Sequence, residues 1–231
     1  MPEAALVDLA HGDDALIAAQ RLAEWTSRGP ELEEDVALAN IALDLLGQAR
    51  MFLSRAGAVL GKTEDELAFL RVDRQFRNVQ MVELPNGDFA HTVIKMLFFS
   101  IYQRELFASM ADDEIAAKTA KEVAYHVDHA RLWTLRLGDG TEESHRRVQA
   151  AVNELWPYTH ELFEDFSGNG LREGWLEGVE STLTEATLSI PDIDPMAWVP
   201  TGGRHGIHTE HMGHLLAEMQ SVHRAYPGAS W

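Results

Sequence analysis

The residues in this chain with the greatest capacity for chemistry are carboxylates and histidines set at helical spacing. Eleven histidines and 37 acidic residues occur in 231 residues, with no cysteine. A di-metal centre held inside a helical bundle needs two Glu-x-x-His pairs on separate helices, plus a carboxylate from each of two others. The spacing matters because side chains at i and i+3 leave the same side of a helix. One literal Glu-x-x-His is present, Glu142 to His145. It follows Gly140-Thr141 at a helix entry, where acids answer the positive end of the helix dipole, and it is assigned no metal role.

Better-placed candidates lie deep inside long helical stretches. Asp44 sits in Ile41-Ala42-Leu43-Asp44-Leu45-Leu46-Gly47 and reads as buried. Glu122, His126 and His129 share one helix face at i, i+4 and i+7. Asp14, thirty residues before Asp44, offers a carboxylate from the first helix. Asp14, Asp44, Glu122 and His126 thus sketch the skeleton of a four-helix metal site, but both histidines are missing from their expected places. Three residues after Asp44 comes Gly47, and three after Glu122 comes Tyr125. A buried carboxylate without a metal must find cations or hydrogen-bond donors, or stay protonated. Lys95, in an apolar stretch, is one such cation. These four positions are therefore read as vestigial, within a polar network of the core, with no metal expected.

A third cluster is His205-Gly206-Ile207-His208-Thr209-Glu210-His211-Met212-Gly213-His214. His211 and His214 lie at i, i+3, and Glu210 and His214 at i, i+4, yet the metalloprotease His-Glu-x-x-His order is absent. Gly202-Gly203-Arg204 ahead of it could turn a backbone nest and a positive charge toward an anion. We read Thr209 as a helix cap, Gly213 as a close-packing position, and Arg204, His208, Glu210 and His211 as interface or anion contacts rather than metal ligands. No phosphate-binding glycine loop and no Gly-x-Ser-x-Gly elbow occurs. The residues themselves give little support for an independent enzyme, and no catalytic or cofactor-binding residue is assigned.

The elements that must position these residues are helices. The first is expected to be capped by Asp13 or Asp14, to carry Leu16, Ile17, Leu22 and Trp25, and to end at Gly29-Pro30. The second spans 31–60, is apolar over more than one face, and is expected in the middle of a bundle. Thr63 to Glu66 reads as a capping box before a short helix to about Phe69. Residues 71–87 connect to a third long helix over about 88–110. Asp112 or Asp113 caps a fourth reaching Leu137, and Thr141 with Ser144 opens a fifth ending near Phe166, before a Ser167-Gly168-Asn169-Gly170 turn. A shorter helix covers roughly 171–188. Residues 190–206, with Pro191, Pro195 and Pro200, are irregular, and a last helix covers about 209–226. No run alternates with period two, so strands are not expected. The reading is all-α: one domain over 1–231, a ferritin-like four-helix bundle core with additional peripheral helices.

Composition narrows the partners. The formal charge of −18 repels phosphate backbones and anionic lipid, so neither nucleic acid nor membrane is expected as a general partner. The absence of cysteine excludes disulfides, thiol nucleophiles and thiolate-held metal clusters in this chain. Apolar stretches such as Met96 to Phe99 are short, and the first ten residues lack a basic segment, so a soluble, cytoplasmic protein is expected.

Several longer motifs carry a resemblance. They include Ala37-Leu38-Ala39-Asn40-Ile41-Ala42-Leu43-Asp44-Leu45-Leu46-Gly47-Gln48-Ala49-Arg50 and Pro85-Asn86-Gly87-Asp88-Phe89. Arg136-Leu137-Gly138-Asp139-Gly140-Thr141-Glu142-Glu143-Ser144-His145 and the closing His208-Thr209-Glu210-His211 belong with them. Through these, in order along essentially the whole chain, the sequence resembles the C-subunit family of phenylacetyl-CoA epoxidases. The resemblance implies a ferritin-like subunit of a bacterial multicomponent monooxygenase that forms the ring-1,2-epoxide of phenylacetyl-CoA with O2. It further implies a homologous A subunit that holds the di-iron site, paired with this chain as a heterotetramer. A small B subunit would join them, with a separate reductase using NADPH, flavin and iron–sulfur. The C subunit itself is implied to be a structural partner whose metal site has decayed. Two other readings stay open: an independent di-iron oxygenase or oxidase using Asp14, Asp44, Glu122 and His126, and a self-assembling bundle with no epoxidase partner.

Overall fold

A computed structural model describes residues 2–110, 112–164, 170–192 and 199–229. Every regular element among them is helical, in keeping with the all-α expectation. The expected turn over Ser167-Gly168-Asn169 and the position of Pro195 lie outside the described residues. The chain divides into two compact units, Met1–Pro85 with Gly202–Trp231, and Asn86–Thr201.

In the first unit, α1 (Glu3–Ala23) and α2 (Leu32–Leu60) pack along their lengths. Their short connection makes the pair antiparallel. The expected start of α1 is corrected: the helix begins at Glu3, and Asp13 and Asp14 lie buried in its middle rather than at its cap. The stretch from Glu3 to Gly12 is rich in Ala and Leu and continues the same apolar face, so nothing in it stops a helix. α2 ends at Gly61, whose φ of +67° supplies the left-handed cap. The expected capping box at Thr63 and Glu66 is formed and opens α3 (Glu64–Phe69).

A 3-10 turn over Asp73–Gln75 and the single turn α4 (Gln80–Glu83) then cross back toward α1. The closing segment returns as α9 (Glu210–Met219) and α10 (Ser221–Ala225), so the last expected helix is broken at Gln220. The Gln220 side-chain amide donates to the Ala68 and Arg71 carbonyls, 3.0 Å each, tying that break to the connecting segment. By length and composition alone α2 could cross a membrane, its most apolar 18-residue window averaging a hydropathy of 1.3, but 44% of that window is buried. A core helix of a water-soluble domain meets the same criterion.

In the second unit α5 (Phe89–Ser109) is central, with α6 (Glu114–Gly138), α7 (Glu142–Leu155) and α8 (Leu171–Glu185) packed on it. Asp88 and Asp113 cap α5 and α6 through their carboxylates, and Thr141 with Ser144 closes a box at α7. α7 is shorter than expected. At Pro157, which has no backbone N–H to donate, the chain tightens into a 3-10 helix over Trp156–Phe163.

Candidate functional site

The densest convergence of charged side chains in the first unit surrounds the middle of α1. Asp13 and Asp14 are adjacent there, 0% and 2% exposed. Adjacent helical positions point about 100° apart, so the two carboxylates meet different partners. Asp13 receives both terminal nitrogens of Arg71, one at 2.9 Å, and the Arg77 backbone N–H at 2.8 Å. Arg71 is itself buried, donates to the Leu67 and Gln75 carbonyls, and stacks over the Phe76 ring at 4.1 Å.

Asp14 accepts the Val79 N–H at 2.8 Å and faces Arg204 across 2.8 Å. Arg204 lies inside, donating to the Arg77 carbonyl at 2.9 Å and the Ala10 carbonyl at 3.4 Å. Burial is the strongest influence on Asp14 and pushes its carboxyl above the ordinary range, while Arg204 and the Val79 N–H pull the other way. The Gly202-Gly203-Arg204 turn thus does present its cation to an anion, and that anion is the chain's own Asp14.

Glu83 forms the third node, 0% exposed. Its carboxylate accepts from the Asn78 amide at 2.9 Å, His208 Nδ1 at 2.7 Å and the Thr209 N–H at 2.5 Å. Its backbone carbonyl receives two bonds from Arg21. The other ring nitrogen of His208 faces the Phe76 carbonyl at 3.3 Å. With an acceptor at each ring nitrogen, His208 satisfies both bonds only as the doubly protonated imidazolium. Burial works against that charge, but the hydrogen bond and charge of Glu83 outweigh it, and the His208 pKa is raised. Thr209 opens α9 without a side-chain cap bond, contrary to its expected role, and its backbone N–H donates to Glu83.

This network fastens the connecting segment and the C-terminal loop to α1. Gly206 belongs to the same construction: its φ is +79°, and an added Cβ would strike the Arg74 carbonyl. Chemically, each of these buried carboxylates already has a cation or several donors, so none is poised as a base, nucleophile or open ligand.

The other anticipated residues fall in both units. Asp44 is half-buried on α2, not buried as its apolar neighbours suggest, because its turn of the helix lies near the uncovered face. Glu122 is half-buried on α6, with His126 and His129 buried beside it. Asp14 and Asp44 belong to the first unit, Glu122 and His126 to the second. Lys95 is buried, 3.5 Å from the Asn86 side-chain oxygen. Glu210 is exposed in the first turn of α9, and His211 is half-buried. His145 Nδ1 meets the Gly138 carbonyl at 2.8 Å, joining two helix ends.

Among the described residues no group of three or more His, Asp or Glu side chains is arranged to hold a metal ion. The donor set does not suit a di-iron centre: Arg204 already supplies the positive charge beside Asp14, and neither Asp44 nor Glu122 has a histidine three residues on. Sequence reasoning missed Asp13, Arg71 and Glu83. The available signal was the run Arg71, Arg74 and Arg77 in a segment taken only as a connection, in a chain otherwise rich in acid.

A family model described as phenylacetic acid catabolic protein matches residues 3–231. The C subunit of the 1,2-phenylacetyl-CoA epoxidase of Escherichia coli (strain K12) is 44% identical over 240 residues, covering 95% of this chain and 96% of the relative.

Proposed function

The chain belongs to the phenylacetic acid catabolic protein family, and from that premise we propose that it is the non-catalytic C subunit of a phenylacetyl-CoA 1,2-epoxidase. In this reading it pairs with and stabilises a homologous A subunit that carries the di-iron site and binds the CoA thioester, as a heterotetramer in the cytoplasm. A small B subunit joins the assembly, and a separate reductase with flavin and iron–sulfur centres delivers electrons from NADPH. The observation that carries the reading is the Asp14–Arg204 pair. A carboxylate that would ligate iron must be free of a competing cation, and Asp14 is already neutralised by the Arg204 guanidinium. The four long helices, α1 with α2 and α5 with α6, are the complement a ferritin-like core requires, which supports shared ancestry with a di-iron subunit.

The test is iron content and turnover of the purified chain, alone and co-expressed with the A subunit from the same organism. We expect iron to travel with the A subunit and ring epoxidation of phenylacetyl-CoA only in the complex. Near-stoichiometric iron on this chain, lost on Glu122→Ala, would overturn the assignment and make the chain a redox enzyme in its own right.

A further inference from the structure

α2 is apolar on two faces, and the first unit covers one of them. Leu38, Ile41, Leu45 and Phe52 are buried inside. On the outer face Leu32, Val36 and Leu43 are 75%, 52% and 64% exposed, and Leu46 is 39% exposed. With half-buried Ala39 these positions follow i, i+4, i+7, i+11 and i+14, the seam spacing by which one helix receives another. Leu43 and Leu46 also rim an apolar groove of about 400 Å³, whose far wall is α1 through Leu16, Ala19 and Ala23. Small side chains at the floor of such a groove let a second helix axis approach closely, while the leucines act as knobs.

Charge selects the occupant. Exposed Glu31 and Glu33 flank the N-terminal end of this stripe on either side, while Asp35 is turned to the Arg28 and Gly29 N–H groups. Arg50, further along, is already paired with Glu64 at 2.8 Å. A second copy would bring another −18 to the contact, and an anionic lipid surface would meet the acidic end unfavourably. We infer that the outer face of α2, with the α1–α2 groove, is the surface on which the catalytic subunit docks, through a helix whose apolar stripe is flanked by Lys and Arg. This rests on the reading of the chain as an epoxidase subunit and adds which surface does the pairing.

The experiment measures the Kd of the full chain for the A subunit by biolayer interferometry. Leu43→Glu and Leu46→Glu are each expected to weaken it by about 30-fold or more, the scale of a central interface residue. Because Leu43 is 64% exposed, the melting temperature and helical circular dichroism of isolated Leu43→Glu stay at wild-type values. Leu46, 39% exposed, is partly covered by the unit itself, so Leu46→Glu lowers the melting temperature while keeping the helical circular dichroism. Leu132→Glu, an exposed apolar position on α6, leaves the Kd unchanged. Glu31→Lys with Glu33→Lys weakens binding and flattens its salt dependence.

Wild-type affinity in both leucine variants, with wild-type binding intact, would overturn the surface assignment alone. No binding by the wild-type chain would instead remove the subunit reading and this inference with it. A chain that is dimeric alone by light scattering and monomeric as Leu43→Glu would assign the face to self-association. Vesicle co-sedimentation lost in Leu43→Glu would assign it to a membrane, and either result would overturn the proposal.

Discussion

In the first unit the middle of α1 is surrounded by ions, with Asp13, Asp14 and Glu83 set against Arg71, Arg204 and His208, all with buried side chains. In the second unit the middle of α5 is surrounded by rings. Phe98, Trp156 and Trp175 lie with ring centroids 5.7 Å apart, and Phe163 joins Trp175 at 5.3 Å. The indole N–H of Trp175 donates to the Phe98 carbonyl at 2.9 Å, so that cluster leaves its polar atom satisfied. Ring packing adds apolar burial without leaving charges to be paired. Buried ion pairs add little net stability, because desolvation offsets attraction, but each charge demands its own partner. The second unit therefore obtains cohesion from burial, while the first uses charge to dictate which segments lie against α1.

The largest effect should come from Trp175→Ala. Removing a fully buried indole costs about 3–5 kcal/mol, read by urea or thermal unfolding of the complete chain. A loss under about 1 kcal/mol would mean that the rings are not what holds the second unit together. Next, Arg71→Ala leaves the Asp13 carboxylate buried without its cation and should cost roughly 3 kcal/mol. Asp13→Asn with Arg71→Met should recover most of that, since neutral groups carry no such penalty; failure to recover would mean the pair stabilises outright.

Gly206→Ala should follow at about 1–3 kcal/mol, from its left-handed backbone and its closeness to the Arg74 carbonyl. An unchanged melting temperature would show that the C-terminal loop is held by the ion pairs alone.

The finest test is pH. His208 has a folded pKa raised above its ordinary 6.5, so it binds its proton more tightly folded than unfolded. Its contribution is fully present below the unfolded value and is lost as pH rises through the folded one. Unfolding midpoints should therefore fall from mildly acidic to alkaline pH, and His208→Gln should flatten that slope. Asp14, also raised from 3.8, acts in the same sense at lower pH: the fold gains as its proton is taken up on acidification. A midpoint rising with pH across the histidine range would contradict the charged assignment of His208.

The helices and most of their ends were legible because capping is local. Asp88, Asp113, the Thr63–Glu66 box and the Gly61 cap lie within a turn of the groups they satisfy. The start of α1 was misplaced for the same local reason: Asp13-Asp14 before an apolar run resembles a cap, and only their distant partners show otherwise. Arg71 is 58 residues from Asp13, and Val79 is 65 from Asp14. No periodicity reports on such a pairing.

Gly47 and Tyr125, in place of histidines three residues after Asp44 and Glu122, are likewise a local feature of the sequence. The cation beside Asp14 was not legible, because Arg204 reaches it through a loop whose path depends on Gly202 and Gly206 taking positive φ.

Helical class, most caps, family resemblance and the dual apolar character of α2 were readable from residue order. Each depends on residues a few positions apart or on long motifs. Which of α2's faces stays uncovered, and which cation neutralises which buried acid, emerged only once the chain was folded. Both depend on segments scores of residues apart meeting in space, where desolvation penalises every buried charge that lacks a partner.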